Sequence, residues 1–404
     1  MIHNILWLTK LALGLLLLAL TFWGLPPAVV LGRSLDIYGN LYFEMADRDY
    51  TETFRAANPD LASDLWTYTS GDLFLRGSED DSLLQFLIDY KYEGDFQGSN
   101  SPGGYFNQYY IIVPFNNNSF LYCGQKYKRV GVAKIFNIGN RYERGGYPTK
   151  LIEYDILKSD NINYGFIANF KDRSQWDQVQ YSGFIDFSKN NFNMQGYCFI
   201  EGKRGYSLVA DLSYQAGIFQ FYGEALYMSE SDQKVAKLGL EPTDDSLDYR
   251  NEDSTTKFLT GVMLNQKNYS ITLEYLRNET AYNDRERNEF ITYLKRHQLT
   301  GRRNLYSEYY SYNWTSNYLG LSFFLPRLGS DQCSLTASYI TSLPDGGWDD
   351  EHASSQVCFN VAYNIYQNLT ATFNLTHNFG GEKGEFLNLY EDKTRYQLSL
   401  LFSF

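Results

Sequence analysis

Apolar and polar side chains alternate along most of this chain, and the alternation is clearest at its C-terminal end. Residues Tyr396, Leu398, Leu400, Phe402 and Phe404 fall on one side, and Gln397, Ser399 and Ser403 fall on the other. A period of two predicts a β-strand with one apolar face. The preceding segment repeats the pattern, since Leu369, Ala371, Phe373 and Leu375 alternate with Thr and Asn residues.

Two architectures explain such alternation: a soluble sandwich with an apolar core, or a membrane barrel whose apolar face meets lipid. Segment length favours the barrel, because a tilted membrane strand needs about 9–11 residues and a typical globular strand has about 5–6. The segments predicted as strands are 34–45, 68–76, 82–94, 105–115, 118–127, 150–158, 162–171, 177–188, 191–202, 204–214, 217–228, 255–266, 268–277, 311–325, 331–342, 353–364, 367–378 and 393–404.

The connections between these segments alternate between short and long, as outer-membrane barrels require. The short connections are 365–366, 326–330, 267, 215–216, 189–190 and 159–161. The long ones are 379–392, 343–352, 278–310, 229–254, 128–149 and 46–67, with Lys203 as the one exception. The sequence therefore predicts an all-β, transmembrane, antiparallel up-and-down β-barrel of about 18 strands (16 to 18), with short periplasmic turns and long external loops.

Residues 1–32 have the features of a secretory signal peptide. Lys10 precedes an apolar run from Leu11 to Trp23, and small residues follow near Gly32. The alternative is a single transmembrane anchor, for which the apolar run is short. We therefore expect residues 33–404 to form one barrel domain in the bacterial outer membrane, with membrane lipid and the barrel-assembly machinery as partners.

Composition excludes other classes of protein. Aromatic residues make up 17% of the chain, which disfavours disorder. A net charge of -12 without a basic cluster disfavours nucleic-acid binding.

An eighteen-strand barrel is too wide for its wall side chains to fill, so we expect a lumen narrowed by an inward loop.

Residues 128–149 are the strongest candidate for that loop, because they are basic in an acidic protein. The cations are Lys128, Arg129, Lys134, Arg141 and Arg144. The alternative is an exposed loop that contacts anionic lipid headgroups. Alternation also places acids in the lumen, namely Glu153, Asp155, Glu201, Asp211, Glu224 and Glu274. Acids opposite a basic loop predict a transverse field that selects among ions.

The segment CGQKYKRVGVAKIFN, which begins at Cys123, resembles a motif of the alginate-export-type outer-membrane porins. The matching residues are Gly124, Lys126, Gly131, Phe136 and Asn137, whereas Gln125, Val130 and Ile138 depart from the motif. The following LIEYDI resembles the family's next strand. The resemblance implies an 18-stranded porin in which pore-lining basic residues, here Lys126 and the loop cations, contact an anionic polysaccharide. The alternating C-terminal residues that end at Phe404 resemble the insertion signal of Gram-negative barrels.

Two rival functions are an adhesin that acts through its external loops and an outer-membrane enzyme. Loop 278–310 contains Phe290, Leu294 and Leu299, whose spacing predicts a short helix. His352 follows Asp349, Asp350 and Glu351 without a recognised catalytic or metal motif, and the four Cys residues predict isolated thiols. We expect no catalytic residue, metal or cofactor, and a channel for small hydrophilic or anionic solutes, with saccharides as one option. The sequence leaves the oligomeric state open.

Overall fold

A computed structural model describes residues 34–50, 65–78, 85–95, 103–116, 118–136, 138, 148–159, 161–170, 179–200, 205–231, 234–249, 254–279, 281–297, 315–343, 353–381, 384–388 and 392–404. The predicted signal peptide lies outside these residues. Within the described part of the chain, no helix has the length and apolar character needed to cross a membrane.

Eighteen strands form one antiparallel sheet, which confirms the predicted fold class. These strands are β1 (Ser34–Tyr50), β2 (Leu65–Ser78), β3 (Gln85–Asp95), β4 (Gly103–Asn116), β5 (Ser119–Lys126), β6 (Thr149–Ser159), β7 (Ile162–Asn169), β8 (Gln180–Lys189), β9 (Phe192–Ile200), β10 (Tyr206–Ala216), β11 (Phe219–Met228), β14 (Thr255–Gln266), β15 (Tyr269–Asn278), β16 (Asn317–Leu325), β17 (Cys333–Leu343), β18 (Ser354–Tyr366), β19 (Leu369–Gly380) and β20 (Asp392–Ser403). A separate hairpin consists of β12 (Lys234–Lys237) and β13 (Ser246–Tyr249).

The sheet closes because β1 pairs with β2 on one side and with β20 on the other. At the seam, Gly39 and Phe404 exchange two backbone hydrogen bonds of 3.0 Å. Each strand of the sheet therefore has two hydrogen-bonded neighbours. A closed sheet leaves no unpaired edge, which is the condition for a β-structure to cross a bilayer.

Strand β10 shows how the sequence assigns the two faces of the wall. Tyr206, Leu208, Leu212 and Tyr214 are exposed on the outer face, while Ser207, Val209, Asp211 and Ser213 are buried on the lumenal face. The predicted insertion-signal residues lie on the outer face as well; they are Tyr396, Leu398, Leu400, Phe402 and Phe404. Their large apolar side chains are exposed because lipid is their expected neighbour.

The alternation of short and long connections is confirmed for the described strands. The predicted one-residue connection at Lys203 lies outside the described residues; β9 ends at Ile200 and β10 begins at Tyr206. Strand β16 begins at Asn317 rather than at residue 311. At that point the Thr315 N–H donates to the Tyr318 hydroxyl (2.9 Å) instead of pairing with a strand.

Two of the short turns use a left-handed residue. Asn190 has φ 54° in the turn between β8 and β9, and Gly217 has φ 59° between β10 and β11. Positive φ at such positions matches the turn to the right-handed twist of the flanking strands, and Asn and Gly adopt it at low cost. These turns fix the register of the hairpins, and with it the face on which each side chain lies.

The helix predicted in loop 278–310 is confirmed as α1 (Asp284–Arg296). It begins with a capping box in which Asn283 and Glu286 exchange side-chain and backbone hydrogen bonds. The helix packs on the β12–β13 hairpin on the external side of the barrel. The fully covered Asp245 carboxylate joins the two, because it contacts His297 Nε2 (3.2 Å) and Arg296 Nη1 (3.3 Å).

The four cysteines are free thiols. In the register of β17 and β18, Cys333 faces Tyr363 and Cys358 faces Ser338. Since Tyr363 and Cys358 are five residues apart, Cys333 and Cys358 lie on opposite faces of the wall.

Gly39 lies beneath the ring of Phe404, so we predict that Gly39→Ala weakens the barrel seam. An added Cβ would lie 2.6 Å from Phe404 Cζ and 2.7 Å from the Asp72 carbonyl oxygen. Overpacking of this kind costs about 1–3 kcal/mol. Urea unfolding followed by tryptophan fluorescence should show a lower midpoint for this variant. The matched control is Gly196→Ala, whose Cβ would meet Ile185 Cγ2 at an ordinary 3.5 Å. Equal midpoints for the two variants would contradict a tightly packed seam.

Candidate functional site

The chain that follows β5 folds into the barrel instead of projecting outward. Val130, Ala133, Phe136 and Ile138 are buried in one apolar cluster with residues of the lumenal wall. The wall contributes Tyr222, Leu226, Leu259, Leu276 and Tyr318, among others. We call residues 127–136 the constriction segment. Its burial against the wall gives the barrel a hydrophobic core inside the lumen.

The constriction segment reaches the opposite side of the barrel. Ile135 and Phe136 pack against Gly320 of β16, at about 3 Å from the position that a Cβ there would occupy. The Phe136 and Tyr318 rings lie 6.2 Å apart. Since β16 is nine strands from β5 in a closed sheet of eighteen, this contact is made diametrically across the lumen.

A buried carboxylate on β15 holds the far end of the segment. The backbone N–H groups of Lys134, Ile135 and Phe136 donate to the two oxygens of Glu274 at 2.5, 3.0 and 2.8 Å. The Tyr222 hydroxyl donates to Glu274 Oε1 at 2.6 Å. Hydrogen bonds to a carboxylate are stronger than neutral ones, and four donors offset the cost of burying this charge.

A second carboxylate, Glu224 on β11, holds the middle of the segment. It accepts the N–H of Val132 at 3.2 Å. The preceding residue, Gly131, has φ +105°, and a side chain there would collide with the Glu224 carboxylate. Glycine is therefore needed both for the backbone conformation and for the close approach to the wall.

The near end of the segment is fixed by an ion cluster. Lys126 Nζ lies 2.5 Å from Glu153 Oε2, and Lys128 donates to the other oxygen of the same carboxylate. Lys126 also lies over the Tyr122 ring at 3.9 Å. Glu153 is almost fully buried, so its charge is balanced by these two cations.

The remaining cations of the segment serve different purposes. Arg129 donates to the Ala133 carbonyl at 2.7 Å and braces the segment internally. The side chains of Arg129 and Lys134 are exposed. Arg141 and Arg144 lie outside the described residues, and so does Glu201.

Two predicted lumenal acids, Asp155 and Asp211, lie on the wall beside the segment. Asp155 on β6 lies on the same face as Glu153 and is partly buried. Asp211 on β10 is buried, pairs in register with Glu224, and has no hydrogen-bond partner among the described residues. The structure therefore brings together Lys126, Lys128, Glu153, Glu224 and Glu274 around the segment, and leaves Asp155 and Asp211 on the wall beside it.

A second inward turn was not predicted from the sequence. Helix α2 (Glu385–Asn388) lies in the connection between β19 and β20 and packs against both strands and β18. Phe386 is fully buried, and its N–H donates to Ser354 Oγ at 3.2 Å. The Tyr318 hydroxyl donates to Glu385 Oε2 at 2.6 Å. The apolar pair Phe386 and Leu387 within a charged loop was the available signal.

Tyr318 joins the two inward parts, because Phe136 packs on its ring and Glu385 accepts from its hydroxyl. Burial raises the pKa of the Glu385 carboxyl to about 7.

Among the described residues, clusters of three or more His, Cys, Asp or Glu side chains suited to holding a metal ion are absent.

We predict that Glu274→Gln loosens the constriction segment. In the wild type, the donors share the two carboxylate oxygens of Glu274, whereas the glutamine side chain has only one acceptor oxygen. Each charge-assisted hydrogen bond that is lost weakens the docking of the segment on the wall by about 1.5–3 kcal/mol. Single-channel recording should show a larger and noisier conductance. Glu241→Gln, an exposed change on the external loop, is the control. Wild-type current in Glu274→Gln would exclude the carboxylate as the anchor.

We also predict that docking of α2 depends on pH. A solvated glutamate ionises near pH 4.5, whereas burial holds the proton on Glu385 until about pH 7. Docking is therefore strongest below pH 4.5, weakens as the pH rises from 4.5 to 7, and then stays constant. The conductance of the wild type should change across this window, and Glu385→Gln, which stays neutral, should lose that part of the change. Identical pH profiles would assign the titration to another group.

Comparison with known proteins supports the fold. No family model matches the sequence, and no curated protein matches it either. Among solved structures, Acinetobacter baumannii OccAB1 is similar at 9% identity and a TM-score of 0.60, over 93% of this chain and 97% of that one. Pseudomonas aeruginosa OccK8 (OprE) matches at 8% identity and 0.59, over 93% and 99%.

Pseudomonas aeruginosa OpdK, in a crystal structure with vanillate, gives the same identity, TM-score and coverage as OccK8. These proteins are Occ/Opd outer-membrane porins, so the structural similarity does not support the resemblance to alginate-export-type porins. The chain has the fold of an 18-stranded outer-membrane porin.

Proposed function

We propose that this protein is an outer-membrane channel that passes small hydrophilic solutes by passive diffusion. The observation that carries the proposal is the constriction segment, which crosses the lumen of a closed barrel and is anchored at both ends to the wall. The side chains of an eighteen-strand wall do not fill the lumen, and such a segment narrows it. The apolar outer face supports a location in lipid.

The porin fold of the similar structures also supports a channel function. One of the OpdK structures contains vanillate, which is a small solute. The finer resemblance to alginate-export-type porins rests on residues 123–138 and 151–156. A preference for anionic solutes rests on the exposed cations of the segment. The signal peptide, the assembly machinery and the absence of catalysis stay predictions.

Single-channel recording of the refolded chain, residues 33–404, tests the channel directly. We expect steady steps of current in a planar lipid bilayer. A barrel that is folded by circular dichroism and yet carries no current would contradict the proposal, and would favour an adhesin acting through its external loops.

We predict that Lys134→Glu shifts the ion preference toward cations. Lys134 is exposed on the constriction segment, and charges in a narrow low-dielectric pore act strongly on passing ions. The reversal potential under a salt gradient measures this preference. The matched control is Lys237→Glu, an exposed lysine on the external hairpin, which should leave the reversal potential unchanged. The same reversal potential in Lys134→Glu and wild type would place that side chain away from the ion path.

A further inference from the structure

Several charged groups of the lumen are already paired within the protein. Glu274 and Glu224 accept backbone N–H groups, and Glu153 binds Lys126 and Lys128. On the adjoining wall, Arg395 Nη2 lies 2.6 Å from Glu44 Oε1. These charges hold the structure together, so a passing solute meets them in a neutralised form. The solute preference of the channel therefore depends on the uncharged surface as well.

One side of the lumenal wall is uncharged and polar. The registers from β17 to β19 place mostly Ser, Thr, Asn and Gln side chains on the lumenal face, with Ile340, Cys358 and Ala362 among them, and that face of these three described strands has no acid, base or histidine. We call it the amide–hydroxyl sector. Its central members are Gln356, Asn360, Thr372, Asn374, Thr376 and Asn378.

The carboxamides of this sector form ladders. Gln356 Nε2 donates to Asn378 Oδ1 at 2.9 Å, and Asn360 donates to Asn374. Each carboxamide has two donor hydrogens and a carbonyl oxygen with two lone pairs, so it keeps capacity for further hydrogen bonds. Asn360, Asn374 and Thr376 are only partly buried. The sector therefore offers donors and acceptors side by side, which is the pattern that sugar hydroxyl groups complement.

An aromatic band lies two strands away from this sector. It consists of Tyr38 and Tyr42 on β1 and Tyr68 and Phe74 on β2, all on the lumenal face by register. Tyr38 is exposed and stacks on Phe74, with ring centroids 4.9 Å apart and an interplanar angle of 11°. Tyr42 and Tyr68 lie 6.1 Å apart. These rings present apolar surface to the lumen.

The band and the sector are joined through β20. Gln397 Nε2 of this strand donates to the Tyr42 hydroxyl at 3.2 Å, and Gln397 pairs in register with Asn374. Apolar rings and carboxamides are thereby continuous around the wall. Binding sites for small polar molecules combine these two features: apolar or aromatic surface for contact area, and a few polar groups for orientation.

We propose that this wall is a binding site for neutral saccharides. The inference rests on the proposed channel function and names its solute class. The apolar face of a sugar ring lies on the aromatic band, and the ring hydroxyls exchange hydrogen bonds with the amide–hydroxyl sector. The sector has no charged group that would compensate a charged solute for its lost hydration, whereas a hydroxyl-rich neutral solute finds both donors and acceptors there.

Current block by maltotriose, a neutral trisaccharide, tests the inference in the refolded chain, residues 33–404. We expect saturable, concentration-dependent interruptions of the ion current, and weaker block by the charged trisaccharide trigalacturonate. Tyr68→Ala and Asn374→Ala should each raise the half-blocking concentration of maltotriose by about tenfold, the effect of losing one good contact. The matched control is Phe373→Ala, which removes a lipid-facing ring next to Asn374. Heat-modifiable migration on gels checks that each variant is folded.

The outcomes separate the inference from the function on which it rests. A conducting channel without maltotriose block overturns the saccharide site and leaves the channel standing. Equal block by trigalacturonate overturns the preference for neutral solutes. Unchanged block in both Tyr68→Ala and Asn374→Ala overturns the location of the site. A folded barrel without current overturns the proposed function, and the inference fails with it.

Discussion

Backbone hydrogen bonding is the constraint on which this structure depends. Lipid offers no partner to an N–H or C=O group, so the sheet must close, and the β1–β20 pairing meets that demand. Closure with eighteen strands leaves a wide interior. The space is then narrowed by chain that enters from the connections, first the constriction segment and then α2. The only extended apolar cluster described lies between that chain and the wall.

The same constraint explains why carboxylates are buried inside the lumen. The constriction segment is not in a strand, so its backbone N–H groups lack strand partners. Glu274 and Glu224 supply acceptors to them across the lumen, and the N–H groups in turn compensate buried negative charge. The carboxylates and the backbone N–H groups thus each compensate for the hydration that the other loses on burial. Acids that would otherwise line a water-filled pore thereby become the supports of its constriction.

The local sequence pattern predicts the strands of the barrel wall, but it does not predict how the chain inside the lumen packs against them. The strands of the wall, predicted as 16 to 18, follow from period-two alternation, because the face of a residue depends on its position along its own strand. The partner of the segment could not be predicted, since Lys134 and Glu274 are 140 residues apart in the chain. Alternation places Glu274 in the lumen, yet it does not tell whether water or a loop covers it. Helix α2 was missed because four residues give no helical period.

The pairing of the first and last strands has a consequence for the order in which the barrel folds. Asn40 and Ser403 hydrogen-bond across a separation of 363 residues, whereas the β10–β11 hairpin closes over Gly217 and Ile218. By loop-closure entropy, joining ends this remote costs about 3 kcal/mol more than closing a ten-residue hairpin. Strand β1 gains its second partner only when β20 is present. The chain thus remains an open, edge-bearing sheet until the final pairing, and throughout that period it is vulnerable to aggregation.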